Sequence, residues 1–162
     1  MRRLALLVLV LSGCGYRFAV GGPGLPEGIG SVHVPVFKNR SGEAEAGVWF
    51  ASALAEELAR SGYSGGPSSP ARIEGVVESV DSNILAIGPD GRGVGLYRVE
   101  ARVTVALVRG EKELCRRDFY GAEEFLPARE LLGLEAARRE ALKRLAQRLM
   151  AGAEHELCPA AG

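Results

Sequence analysis

Hydrophobic and polar residues alternate along the chain with two different periods, and each change of period predicts an element boundary. Valines alternate with other residues over 32–37, which predicts a strand. Pro35 has no amide hydrogen to donate, so we expect this strand at an edge of a sheet. Apolar residues then recur at helical spacing and Gly62 follows them, which predicts a helix over about 47–61.

The second half of the chain carries the clearest strand pattern. Small and apolar residues alternate with polar ones over 96–107, so one face of this strand is expected to be buried. The same reasoning predicts, in chain order, a half-buried strand from Ile73 to about 81, a turn region over 83–95, a hairpin turn at 109–112, a strand over 113–120 and a helix over about 130–151.

These elements fit most economically into one domain. We expect an α+β fold in which two amphipathic helices pack on one face of a mostly antiparallel four-stranded sheet, in the order β-α-β-β-β-α. The domain is predicted over 31–152, with 153–162 as a C-terminal tail. A chain of 162 residues with 47% hydrophobic and 25% charged residues is large enough to bury a core without metal or disulfide staples.

The start of the chain has the three-part pattern of a secretory signal peptide. Two arginines precede an apolar run over 4–11, and small residues then lead to Cys14. A helix of that length reaches only about 12 Å, which is too short for a bilayer core of ~30 Å. The residues over 11–14 (LSGC) also resemble the bacterial lipobox, which implies a signal peptide over 1–13 and lipidation of Cys14. A plain signal peptide cleaved nearby and an apolar core segment are the alternatives.

A glycine- and proline-rich stretch follows the cysteine and predicts a flexible tether over 14–30. Gly15 stands directly after Cys14, where lipoproteins kept in the inner membrane often carry aspartate. By this resemblance to the sorting rule, we expect a lipid-anchored protein on the periplasmic side of the outer membrane.

Composition and motifs give little sign of catalysis. Twenty basic and 20 acidic residues give a net charge of zero, which argues against a polycation that binds nucleic acid. His33 and His155 are the only histidines, and neither stands at metal-ligand spacing from other ligands. We therefore expect no enzyme, no metal and no cofactor. Cys115 and Cys158 could form a disulfide in an oxidising compartment or could both stay free.

Several segments, taken together and in order, resemble the LptE family of lipopolysaccharide-assembly lipoproteins. The matching segments are 14–18 (CGYRF), 32–41 (VHVPVFKNRS), 53–58 (ALAEEL), 97–99 (YRV) and 135–141 (EAARREA). The resemblance implies a non-enzymatic protein that binds and plugs an LptD-type β-barrel. It also implies contact with lipopolysaccharide on its way to the outer leaflet.

The distribution of charge suggests where such an anionic lipid would bind. Residues 43–90 hold two basic and eight acidic side chains, whereas 91–117 hold seven basic and three acidic ones. Arginine forks suit the phosphates of lipid A. The candidate lipopolysaccharide-binding residues are Arg92, Arg98, Arg102, Lys112 and Arg116, although each could instead lie on the solvated face of a strand.

A second interpretation keeps the lipid anchor and changes the partner. A similar α+β lipoprotein of the outer membrane could serve as a structural or regulatory module of another periplasmic machine, such as a secretion channel or a cell-wall synthase activator.

Overall fold

Three long antiparallel strands form most of the sheet. The computed structural model describes residues 24–86, 95–126 and 131–158. In chain order its elements are β1 Val32–His33, β2 Lys38–Asn39, α1 Ala46–Arg60, β3 Ser64–Gly65, β4 Ala71–Ala86, β5 Leu96–Arg109, β6 Lys112–Phe125, α2 Leu131–Met150 and α3 Ala153–Glu156.

The strands belong to a single sheet with the order β3-β1-β4-β5-β6, and β2 pairs with the same edge of β4 as β1 does. Both β1 and β2 run parallel to β4, whereas β4, β5 and β6 form an antiparallel meander. Register shifts interrupt the β4–β5 ladder after Val77 and after Ile84. The sheet is therefore mostly antiparallel, with short parallel strands along one edge.

The structure confirms the predicted α+β class, and both long helices lie within one residue of their predicted bounds. The number of strands differs. Two two-residue strands replace the single strand predicted over 32–37, because the segment around Pro35 leaves the ladder. β4 and β6 continue to Ala86 and Phe125, further than their own alternation predicts, because both remain paired with β5 along its length.

The hydrophobic core lies between the sheet and the two long helices. α1 packs against β4 and the short parallel strands, and α2 packs against β5, β6 and α1. The largest fully buried side chains come from both layers and include Phe50, Leu54, Leu58, Ile73, Leu107, Leu142, Leu145 and Met150. In the part of the chain that the structure describes, no helix is long and apolar enough to cross a membrane.

Phe37 fixes the segment between β1 and β2 against the sheet. A Cβ atom on Gly75 would overlap its ring, and a Cβ atom on Gly47 would lie 2.5 Å from its carbonyl oxygen. The absence of side chains at these two positions lets the segment fit between β4 and α1. Asn39 orders the following loop, since its Oδ1 accepts a hydrogen bond of 3.0 Å from the amide of Ser41.

A disulfide joins the end of the described chain to β6. Cys115 and Cys158 are paired, with Cα atoms 5.5 Å apart, which falls within the usual range for a disulfide. The first part of the predicted tail forms α3, and Glu154 within it is buried. The hydroxyl of Ser61, at the end of α1, donates a 2.6 Å hydrogen bond to Glu154. Residues 153–158 thus pack on the domain.

Candidate functional site

The outer face of the sheet, opposite the helices, carries three of the predicted anion-binding side chains. Arg98 and Arg102 alternate along β5 with buried residues such as Val99, so both point away from the helix layer. Arg116 pairs across the ladder with Ala106 and lies on the same outer face of β6. The predicted alternation of β5 therefore holds, and it produces a row of guanidinium groups.

The other predicted residues do not join this row. Lys112 is the first residue of β6, next to the hairpin turn. Arg102 pairs with Tyr120, which is eight positions further along β6, or about 27 Å from Lys112. Cys14, the predicted signal peptide and Arg92 lie outside the described residues. The described basic side chains of the β5–β6 hairpin (96–125) are thus spread along its length and do not form one compact cluster.

Two of the arginines on the outer face are already bound by carboxylates. Arg98 donates a 2.7 Å hydrogen bond to Glu124, and a second carboxylate, Glu100, lies 3.9 Å away. Arg116 donates to both carboxylate oxygens of Glu113, with its Nε 3.0 Å from Oε1. These hydrogen bonds raise the pKa of Arg98 and of Arg116 and lower the pKa of Glu113. An incoming anion would have to displace a carboxylate from either arginine.

Arg102 and Lys112 are the exposed exceptions. Within the described residues, neither has a carboxylate oxygen within 4.0 Å of its charged nitrogens. The guanidinium carbon of Arg102 lies 5.8 Å from the centre of the Tyr120 ring, which is a cation–π geometry. These two cations are available to an anionic ligand without breaking an ion pair.

Tyr120 belongs to this surface, although the sequence interpretation did not include it. Its side chain is 60% exposed, and its hydroxyl donates a 3.1 Å hydrogen bond to Glu100. That hydrogen bond raises the pKa of Tyr120. Because Tyr120 is four residues from Arg116, the alternation of β6 already placed both on one face, and this was the available signal. An exposed tyrosine beside an unpaired arginine is typical of contact surfaces.

The described residues offer no obvious metal centre. In 24–86, 95–126 and 131–158, no three His, Cys, Asp or Glu side chains are placed to hold an ion. His155 has its Nε2 3.5 Å from a carboxylate oxygen of Glu154, beside α1 and far along the chain from the row of arginines. The arrangement is suited to contact and electrostatic binding.

A family model described as LptE, lipopolysaccharide-assembly, matches residues 29–151. The matched region contains both long helices and every described strand. The chain belongs to the LptE family. No curated protein matches it significantly. Arg98, Arg102, Lys112 and Arg116 lie within the region that matches the family, and Cys14 precedes it.

Solved structures share this fold at low sequence identity. A lipoprotein from Caulobacter crescentus is 12% identical over 75% of this chain and 86% of that chain, with a TM-score of 0.52. The PelC dodecamer from Paraburkholderia phytofirmans is 18% identical over 85% and 94%, with a TM-score of 0.51. Rare lipoprotein B from Shewanella oneidensis is 13% identical over 72% and 88%, also with a TM-score of 0.51. These likenesses show the fold alone.

In this LptE-family chain, one carboxylate of the sheet is held by two arginines of the helix layer. Glu123 lies on the helix-facing side of β6 and is only 16% exposed. Arg144 donates to its Oε1 at 3.2 Å, and Arg148 donates to its Oε2. Burial alone would raise the pKa of Glu123, but the two guanidinium groups outweigh burial and lower it. These contacts join α2 to β6.

We expect Glu123→Gln to lower the free energy of unfolding at pH 7 by about 1–2 kcal/mol, because it weakens two charge-assisted hydrogen bonds. The folded-state pKa of Glu123 lies below its ordinary value of 4.5, so this stabilisation is present above pH 4.5 and is lost as the pH falls through the folded-state pKa. Urea unfolding followed by circular dichroism between pH 7 and pH 3 measures the difference.

Glu124→Gln is the matched control, because Glu124 follows Glu123 in β6 but is exposed and pairs with Arg98 on the other face of the sheet. Its loss should be smaller, at most about 1 kcal/mol. A difference between Glu123→Gln and wild type that stayed constant down to pH 3 would contradict the assignment.

Proposed function

We propose that this chain is a lipid-anchored protein of the outer membrane that binds and plugs an LptD-type β-barrel and contacts lipopolysaccharide during its insertion into the outer leaflet. The observation that carries the proposal is the family match over 29–151, which spans nearly the whole described domain. No catalytic step is assigned to the chain, and its proposed role is binding.

The outer face of the sheet suits the inside of a barrel. The lumen of an outer-membrane barrel is polar, whereas its lipid-facing side is apolar. Several charged side chains of the outer face are already neutralised by each other, as in the ion pairs Arg98–Glu124 and Arg116–Glu113. These paired residues can lie against a polar wall without leaving an unpaired charge, while Arg102 on the same face stays available to an anionic ligand.

Co-purification tests the partner. Solubilised outer membranes that contain a tagged copy of this chain should yield a large β-barrel protein in about equal amount. Depletion of the chain should impair assembly of that barrel and export of lipopolysaccharide. If both continued normally after depletion, the proposal would fail, and a role in another periplasmic machine would gain support.

Arg102 and Lys112 are the proposed contacts with the phosphates of lipopolysaccharide, because neither is neutralised by a described carboxylate. Arg102→Gln should weaken binding of purified lipopolysaccharide by about threefold to tenfold, which corresponds to one charge-assisted hydrogen bond at an exposed site. Lys112→Gln should have a similar effect. Biolayer interferometry with intact and dephosphorylated lipopolysaccharide measures both.

Arg98→Gln provides the matched control, because it removes a guanidinium on the same strand and face that is already paired with Glu124. Its effect should be smaller than that of Arg102→Gln. Equal affinities of wild type, Arg102→Gln and Lys112→Gln for lipopolysaccharide would mean that these two cations contact solvent and do not bind lipopolysaccharide.

Lipidation of Cys14 is proposed from the lipobox pattern over 11–14. Radioactive palmitate should label the wild-type protein in growing cells and should not label Cys14→Ser. Persistent labelling of the variant would remove the assignment and leave a plain signal peptide.

A further inference from the structure

The far half of β4 has an edge that no described residue covers with a strand, and we call it the open edge. β1 pairs with residues 71–72 of β4, and β2 pairs with 76–77. The amide of Arg40 then donates a 2.9 Å hydrogen bond to the carbonyl of Val77, which ends this pairing. Among the described residues, the segment 80–86 pairs only with β5, so its other side carries no strand.

The direction of the backbone groups follows from contacts at the opposite edge. Arg148 donates to the carbonyl of Ala122 at the outer edge of β6, so that carbonyl points away from β5. Glu100 is opposite Ala122 in the β5–β6 ladder, so the amide and carbonyl of Glu100 point toward Asp81 on β4. Because direction alternates along a strand, the amides of Val80, Ser82 and Ile84 point to the open edge.

Within the described part of the chain, this edge lacks the devices that protect exposed strands. Natural proteins cover such edges or place lysine, proline or several charges on them. Residues 80–86 (VDSNILA) carry one charge, at Asp81, and no proline. Ile84 is 55% exposed and Leu85 is 41% exposed. By contrast, the edge of β6 is covered in part by Arg148.

A cavity lies beside the open edge, on its helix side. It has a volume of about 280 Å³, and its lining includes Ser82, Ile84, Tyr97, Phe125 and Leu134. Because side chains of an added strand alternate between faces, every second one would point toward this cavity. Glu135 and Arg138 also line the cavity, and its four large apolar and aromatic residues favour an aliphatic or aromatic side chain against them.

On the outer face of the sheet, the open edge favours a basic side chain on an added strand. Asp81 stands directly opposite Glu100 in the β4–β5 ladder, and like charges placed this way repel each other. Within the described residues, Asp81 has no basic nitrogen within 4.0 Å. A lysine or arginine on a neighbouring strand would relieve this repulsion.

We propose that the edge of β4 over 80–86 binds an extended segment of the barrel subunit by strand addition. The segment would place apolar side chains over the cavity and a basic side chain beside Asp81. Since the strands of a closed barrel have no free edge, the segment must come from a loop or from a periplasmic extension of that subunit. This inference rests on the proposed function, which supplies the partner.

Hydrogen exchange of the intact complex tests the inference. Backbone amide hydrogens are exchanged in deuterated buffer, in the chain alone and in the chain co-purified with its barrel subunit. Mass spectrometry with fragmentation to single residues measures the exchange. We expect the amides of Val80, Ser82 and Ile84 to exchange at least tenfold more slowly in the complex, because each gains a backbone hydrogen bond. Asp81 and Asn83, already bonded to β5, should change less.

Ser82→Pro and Ser82→Thr form a matched pair of variants. Proline removes the amide that points to the open edge and leaves the bonds to β5, whereas threonine keeps the amide and favours a strand. Ser82→Pro should lose the protection over 80–86 and weaken the complex at least tenfold, and Ser82→Thr should resemble wild type. An unchanged circular dichroism spectrum and melting temperature of the free variant establish that it folds.

Three other outcomes would overturn the inference, and the measurements distinguish them from one another. A stable complex without slower exchange over 80–86 rejects strand addition and leaves the proposed function standing. Slow exchange already present in the isolated chain means that the chain covers its own edge or pairs with a second copy. If no barrel subunit co-purifies, the proposed function fails, and the inference fails with it.

Discussion

The packing of Phe37 against Gly75 is the contact on which the rest of the architecture depends. The ring occupies the space that a side chain on β4 would fill, and Gly47 lets α1 approach the same backbone. One aromatic residue therefore joins the parallel edge of the sheet to the helix layer. It also explains why the chain leaves the ladder between β1 and β2, since its side chain packs inward there while Pro35 can donate no amide hydrogen. The strand pairing along this edge ends at Val77, and the open edge of β4 begins beyond it.

Charge pairing decides which cations of the hairpin can act on a ligand. A count of charges over 91–117 treats every arginine as equal, but the structure separates them. Arg98 pairs with Glu124 on the neighbouring strand and Arg116 pairs with Glu113 on its own strand, while Arg102 lies over the Tyr120 ring. Exposed ion pairs of this kind contribute little to stability. Their main consequence is to neutralise Arg98 and Arg116, whereas Arg102, Arg109 and Lys112 have no ion pair among the described residues.

The sequence predicted the features that depend on local periodicity. It did not predict the features that depend on pairing between distant segments. The stripe of apolar residues fixed both long helices to within one residue, and the strict alternation of β5 identified its buried face. The extension of β6 to Phe125 depends on its partner β5, and residues 121–125 show no strong alternation of their own. The same limit applies to the site. Neither the Arg98–Glu124 pair, 26 residues apart, nor the bond between Cys115 and Cys158 could be chosen from spacing alone.

The fold also separates the start of the described chain from the open edge. Gly28 lies beside Arg109, so the described chain enters the domain at the end that carries the β5–β6 turn. Nine residues lie between Cys14 and Gly24, and the ten steps from one to the other span at most about 36 Å. The three long strands run away from this end for about 45 Å. Lipidation at Cys14, as proposed, would therefore keep Gly24 within about 36 Å of the lipid surface, at the end of the domain that carries Lys112. The open edge of β4 lies at the other end of the long strands from Gly28, so the length of the strands lets it contact a subunit that stands away from the lipid surface.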